Sequence, residues 1–358
     1  SSASPLDVLR AGASDPGFAR ALAVRRFQFP EDHGPHPAYR HEWWYFTGHL
    51  RSARGARFGF ELTFFRIAVA PPASGAPASG EPELQSSWRT RQIYAAHFAV
   101  TDVERNQFHS AQRFARDALA LAGARATPFR VWLGGWSVAG EGAPGVWTLR
   151  VADPAYGLTL ELRPLSSPVL NGDRGLSTKS DAPGSASYYY SIPRLAARGR
   201  LARGAQATDV SGTVWLDREW DSGALGPHQQ GWDWFGLQFE DGSALMFYSL
   251  RDADGARDPH SAGTWIGADG RTRALSSDDV RIDVLAHWRS PRGILYPSRW
   301  RLRVSSLGLD VDAKPVLADQ ELDTSPLYWE GDADVSGSRD GQAIAGQAYV
   351  ELVGYPAR

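Results

Sequence analysis

At 358 residues the chain is long enough for two domains, each with its own core. Its 38 Lys+Arg against 40 Asp+Glu leave a formal net charge of -2, which gives no general pull toward nucleic acid or an anionic membrane. The absence of cysteine excludes disulfides, thiolate metal sites and a cysteine nucleophile, and no apolar run of about 20 residues is present to span a membrane.

The chain begins Ser1-Ser2-Ala3-Ser4-Pro5, with no initiator methionine, basic segment or apolar segment. This reads as a trimmed start and leaves open a removed export signal. Leu9, Phe18, Leu22 and Val24 fall roughly on one side of a helix predicted over residues 7–23, so residues 1–30 are expected to form a short helical arm. Residues 31–39 are Pro- and His-rich and extended. They lead into His41-Glu42-Trp43-Trp44-Tyr45-Phe46-Thr47-Gly48, which a polar Gly-containing turn joins to Phe58-Gly59-Phe60-Glu61-Leu62-Thr63-Phe64-Phe65-Arg66. Aromatic runs on either side of such a turn predict a β-hairpin.

Residues 70–82 are low-complexity and read as a mobile loop. Strands are expected at 93–100, 129–133, 136–139, 147–152, 158–163, 188–192 and 210–220. A short helical stretch is expected at 111–121, and a polar Gly/Pro-rich connection over 165–184.

A second hairpin pattern runs from Gly231-Trp232-Asp233-Trp234-Phe235 through Glu240-Asp241-Gly242 to Leu250-Arg251, so that Trp44-Tyr45 answers to Trp234-Phe235 and Phe65-Arg66 to Leu250-Arg251. Residues 210–217 also align without a gap on residues 344–351. Two echoes in the same order predict duplication: one unit over 31–225 and another over 226–358. Many short strands with few helices mean an all-β protein, and a unit of this size that opens and closes with matched strands fits a closed antiparallel barrel.

Alternation along a strand gives each candidate residue a face. Asp217, Glu219 and Asp221 share a face with Trp215, and parity with the second unit turns that face outward, toward a groove between the units. Three carboxylates on one face repel unless paired, protonated or bound to a cation. Arg66 or Arg251 would make them an ion-pair network, whereas an aromatic cleft would make one of them a proton donor of raised pKa. His41 and Glu42 lie on opposite faces. His-Glu-Trp-Trp-Tyr is half of a zinc-protease motif without its second histidine, and Asp252-Ala253-Asp254-Gly255 lacks the remaining spacing of a calcium loop, so no metal and no cofactor is expected. Serine-hydrolase elbows and nucleotide loops are absent. Fourteen tryptophans either fill cores or line a pocket for an elongated apolar ligand.

The motifs at 41–48, Tyr188-Tyr189-Tyr190-Ser191-Ile192-Pro193-Arg194-Leu195, Trp215-Leu216-Asp217-Arg218-Glu219-Trp220 and Gly231-Trp232-Asp233-Trp234-Phe235 resemble the secreted, tandem-lipocalin branch of the carotenoid 1,2-hydratase-like (hydroxyneurosporene synthase-like) proteins. The resemblance covers residues from about 31 to 355. It implies two lipocalin-like barrels in tandem, a periplasmic or secreted location, and gene association with ABC-type exporters. Enzymes of that family hydrate isolated double bonds or guide polyene cyclisations.

Two functions follow. One is an enzyme that uses carboxylic acid general-acid catalysis on a hydrophobic small molecule by hydration, hydrolysis or cyclisation. Its donors would be among Glu42, Asp217, Glu219 and Asp233, with His41, Trp43, Trp44, Tyr190, Trp220 and Trp234 around the ligand. The other is a non-catalytic lipid carrier working with an ABC-type transporter.

Overall fold

A computed structural model describes residues 16–72, 91–140 and 142–357, in which every regular element is a β-strand or a single 3-10 turn. The first sheet has 13 strands: β1 (His41–Ser52), β2 (Arg57–Ala68), β3 (Gln92–Asp102), β4 (Gln107–Arg116), β5 (Ala122–Arg125), β6 (Arg130–Leu133), β7 (Trp136–Ala139), β8 (Trp147–Ala152), β9 (Tyr156–Pro164), β10 (Val169–Leu170), β11 (Leu176–Thr178), β12 (Ala186–Arg203) and β13 (Gln206–Asp221). The second has 10: β14 (Gln229–Phe239), β15 (Ala244–Asp252), β16 (Ala262–Ile266), β17 (Thr272–Ser276), β18 (Arg281–Arg289), β19 (Leu295–Val304), β20 (Leu309–Pro315), β21 (Glu321–Leu322), β22 (Tyr328–Arg339) and β23 (Gln342–Val353).

The protein is all-β, with two barrel-like sheets in tandem. The sequence had suggested closed barrels, but among the described residues neither sheet closes on itself by hydrogen bonds. The first sheet runs from β4 to β5 and curls to near closure, and the second runs from β17 to β18 as a half-barrel. Each sheet wraps its own apolar core, built from alternate residues of its strands, such as Trp44, Phe46, Phe60, Leu62 and Leu216 in the first and Phe235, Leu237, Phe247, Trp300 and Val350 in the second.

Two helical expectations fail. Residues 16–30 form turns and irregular chain with no helix; residues 7–15 of the predicted helix, like residues 73–82 of the loop, lie outside the described residues. Residues 107–116 form β4 in unbroken register with β3, and only Ala118–Ala120 turn as a 3-10 element. The alanines there favour a helix locally, but pairing along the free edge of β3 overrides that preference.

The duplication is visible in the strand order. The central run β3-β2-β1-β13-β12 of the first sheet matches β16-β15-β14-β23-β22 of the second. Asp217 stands opposite Tyr45 across β13 and β1, while Glu351 stands opposite Trp234 across β23 and β14. Asp217 therefore corresponds to Glu351, in keeping with the sequence echo at 210–217, but Tyr45 corresponds to Trp234. The hairpin echo that set Trp44 against Trp234 is one residue out of register. A one-residue slip exchanges the two faces of a strand, so Trp44 enters its barrel while Trp234 leaves its own.

The two sheets meet by these outward faces. Gly59 permits the closest approach at one end: a Cβ there would lie 2.5 Å from the Tyr349 hydroxyl and 2.8 Å from Asp332 Cβ. Gly59→Val is expected to cost about 1–3 kcal/mol through overpacking, read as a lower urea midpoint.

Candidate active site between the sheets

Odd-numbered residues of β1 and β13 and their counterparts on β14, β22 and β23 build a polar, aromatic layer between the two cores. Tyr45 packs edge-on against Trp234 with ring centroids 5.2 Å apart, and Trp215 does so at 5.7 Å. Asp217 is buried here. Its Oδ1 accepts hydrogen bonds from Ser191 at 2.5 Å and Trp215 Nε1 at 2.7 Å, and its Oδ2 accepts one from the Tyr189 hydroxyl at 2.5 Å. Burial outweighs these donors and pushes the carboxyl up to about 7.

That shift ties stability to pH. The folded value is raised, so the contribution of protonated Asp217 is complete below the unfolded value of 3.8 and disappears as pH rises through about 7. The urea midpoint is expected to fall across that window, and less steeply in Asp217→Asn.

Beside Asp217, Glu219 accepts a hydrogen bond from Ser187 and lies 3.4 Å from Lys179 Nζ. Lys179 donates to Ser177 Oγ at 3.0 Å and sits 3.7 Å above the Tyr248 ring. Burial opposes its charge, but Glu219 and Tyr248 outweigh burial and hold the ammonium above its ordinary value. The cation that serves the outward face is thus Lys179. Arg66 and Arg251, the expected partners, are turned into the two barrels.

On the opposite wall stands a group of acids without such a partner. Glu330 and Glu351 stand opposite each other across β22 and β23, and the second oxygen of Glu330 is buried with no hydrogen-bond partner among the described residues. Tyr45 donates to Glu330, and Trp232 Nε1 donates to Glu351 at 2.5 Å. Glu61 accepts from Tyr328 and Thr63, both at 2.8 Å, while its second oxygen is buried with no hydrogen-bond partner among the described residues. No arginine or lysine forms an ion pair with these three glutamates among the described residues. Burial, then mutual repulsion, pushes Glu330 far above the carboxylate range, and burial raises Glu61 and Glu351 as well. Four residues at this edge are partly exposed: Glu351, Trp43, Phe65 and Trp232.

A cavity of about 520 Å³ lies nearby, between β4 and the turns around Trp288, Arg292 and Asp319. Its one guanidinium, Arg292, pairs with Glu321 at 3.1 Å and Asp323 at 2.6 Å, whereas the three glutamates between the sheets have no such partner among the described residues. The unbalanced acids make the cleft the stronger candidate. The two adjoin through Phe108, which lines the cavity and packs on the Tyr328–Val353 cluster that borders Trp232.

A model of the AttH-like family matches residues 20–355. The chain belongs to the AttH-like family. Its structure is similar to that of a protein assigned to AttH from Nitrosomonas europaea, with 34% identity, 95% of this chain and 100% of the other covered, and a TM-score of 0.82. It is also similar to kievitone hydratase from Nectria haematococca, at 16% identity, 94% and 98% coverage and a TM-score of 0.70. A third similar structure is CghA with Sch210972, at 13% identity, 96% and 98% coverage and a TM-score of 0.52. At the lower two identities the likeness concerns the fold alone. No curated protein sequence matches the chain.

In this AttH-like chain the residues singled out from sequence separate into three places. Asp217, Glu219, Trp43 and Trp234 line the layer between the sheets, and His41 lies at its end, 3.2 Å from Asp221. Glu42, Trp44, Tyr190 and Trp220 face into the first barrel. There Glu42 binds Arg218 at 2.7 Å, Arg66 at 3.1 Å and His36 at 2.6 Å, and Trp220 stacks on His36 with centroids 3.7 Å apart. Burial opposes ionisation of Glu42, but His36, Arg218 and Arg66 prevail and hold it far below the carboxylate range. Glu42 is therefore a fixed anion rather than a proton donor. Asp233 faces into the second barrel, bound by Arg251 and by the Tyr355 hydroxyl at 3.0 Å. Sequence reasoning missed Glu61, Lys179, Glu330 and Glu351 as site residues. The echo of Asp217 in Glu351 was the signal that pointed to one of them.

Proposed function

We propose that this AttH-like protein is an enzyme that takes an elongated apolar alkene or polyene between its sheets and protonates it, leading to hydration or cyclisation. The observation that carries this reading is the Glu330–Glu351 pair. The two buried acids stand opposite each other at the edge of an aromatic layer, both held above the ordinary carboxylate range by burial, with no lysine or arginine paired to them among the described residues. The pair would give its proton to an alkene carbon. The faces of Trp43, Tyr45, Trp232 and Trp234 suit the carbocation that results. Glu219, next to Lys179 and Ser187, is placed to hold the water that adds, and the proton released returns to the carboxylate pair. That the similar folds include a hydratase agrees with this chemistry. In line with the motif resemblance, we place the protein in the periplasm or outside the cell, which fractionation of its host would check.

The test is incubation in deuterated water with polyenes extracted from the host. A product that carries solvent deuterium on carbon, with or without the mass of one added water, supports the reading. A lipid that copurifies with the protein, seen by native mass spectrometry, and is recovered without deuterium would favour the carrier instead.

A further inference from the structure

The segment joining the two sheets carries a second constellation, away from the acids. His228 is the last residue before β14, Asp252 ends β15, and Asp258 lies in the loop leading to β16. One imidazole nitrogen and one oxygen from each carboxylate lie within 4.8 Å of one another. His228 Nε2 is 3.1 Å from Asp258 Oδ2 and 3.6 Å from Asp252 Oδ1. Ligands held about 2.0–2.2 Å from one metal stand roughly 3.0–3.5 Å apart along the edges of its coordination shell. The first separation falls within that range and the second lies about 0.1 Å beyond it.

Two further features point to a cation. The two aspartates face each other, and no arginine or lysine pairs with either among the described residues. Asp252 Oδ1 is itself buried with no hydrogen-bond partner among the described residues. Asp258, by contrast, is firmly placed. Its Oδ2 accepts from Gln229 Nε2 at 3.0 Å, and its Oδ1 accepts from the backbone of His260 at 2.7 Å and faces His260 Nδ1 at 2.9 Å. Such outer contacts orient a metal-binding carboxylate. With side-chain exposures of 55% for His228 and 27% for Asp252, water can complete the shell.

We propose that His228, Asp252 and Asp258 bind one divalent cation of the Mn2+ to Zn2+ class. One imidazole with two carboxylates suits those ions better than Ca2+ or Mg2+, whose ligands are oxygen throughout. The ion would fasten the segment between the sheets to the β15–β16 connection. It would also steady Lys179, because Gln229 Nε2 donates to the Lys179 carbonyl at 2.6 Å as well as to Asp258.

The full chain without a tag, stripped with a chelator, would be titrated calorimetrically with Zn2+, Mn2+, Ca2+ and Mg2+ chlorides in turn, with melting followed in parallel. One equivalent of Zn2+ or Mn2+ is expected to bind and raise the melting temperature. His228→Ala and Asp252→Asn, both at partly exposed positions, are each expected to weaken binding by about tenfold or more while the metal-free melting temperature stays close to that of the parent. The proposal is overturned if no saturable binding occurs, if Ca2+ or Mg2+ binds more tightly, or if the double variant binds as the parent does.

Discussion

Glu351→Gln is expected to lower turnover of an apolar alkene by about 10²–10⁴-fold, the usual contribution of a positioned acid. The amide keeps the shape of the side chain and its contact with Trp232, but it has no acidic proton to give. Glu330→Gln removes the other acid of the pair and should give a loss of similar size. Neither change should lower the urea midpoint much, because each removes a repulsion between buried acids. The rate of the parent protein is expected to hold from acid pH to well above 4.5, the ordinary glutamate value, and to fall where the pair ionises. Full activity in both variants would remove the pair from the chemistry.

The largest loss of stability is expected from Arg218→Ala. The guanidinium is buried in the first barrel, where it binds Glu42 at 2.7 Å and donates to the carbonyls of Gly34 at 2.7 Å and Trp43 at 2.9 Å. It also lies 4.2 Å from the centre of the Trp44 ring. Removing it partly strands a buried carboxylate, which keeps only Arg66 and His36, and deprives the Gly34 and Trp43 carbonyls of this donor, a change expected to cost about 3–5 kcal/mol. Arg218→Met combined with Glu42→Gln should cost less than the sum of the single changes, because the second removes the stranded charge. Glu42 has a lowered folded pKa, so its contribution is present above the unfolded value of 4.5 and is lost as pH falls. A cost for Arg218→Ala below about 1 kcal/mol would mean that water reaches this site.

Much of the fold was legible because its signals are local. The aromatic hairpins at 41–66 and 231–251, the matched closing strands and the Gly-containing turns each lie within a few residues of chain. The face of Asp217 and Glu219 followed from alternation alone. The partners did not, since a strand pattern tells which way a side chain points but not what it meets. Glu330 and Tyr328 reach Tyr45 and Glu61 across 285 and 267 positions of chain. Arg66 looked free to serve the outward acids, yet it sits on the Glu42 side of its strand and is turned inward. The hairpin echo misled for a related reason. Trp-Tyr and Trp-Phe are similar letters, but pairing with Asp217 and Glu351 decides which residues correspond.

Equivalent surfaces of two related sheets face each other here, as they would in a twofold dimer. In such a dimer both walls of the chamber would carry the same acid in the same setting. One continuous chain lifts that restriction. Asp217 is surrounded by hydroxyl and indole donors, whereas Glu351 has a second carboxyl group beside it, so the two walls hold their protons with different strength. Joining the halves is thus what allows the two facing walls to differ in proton affinity.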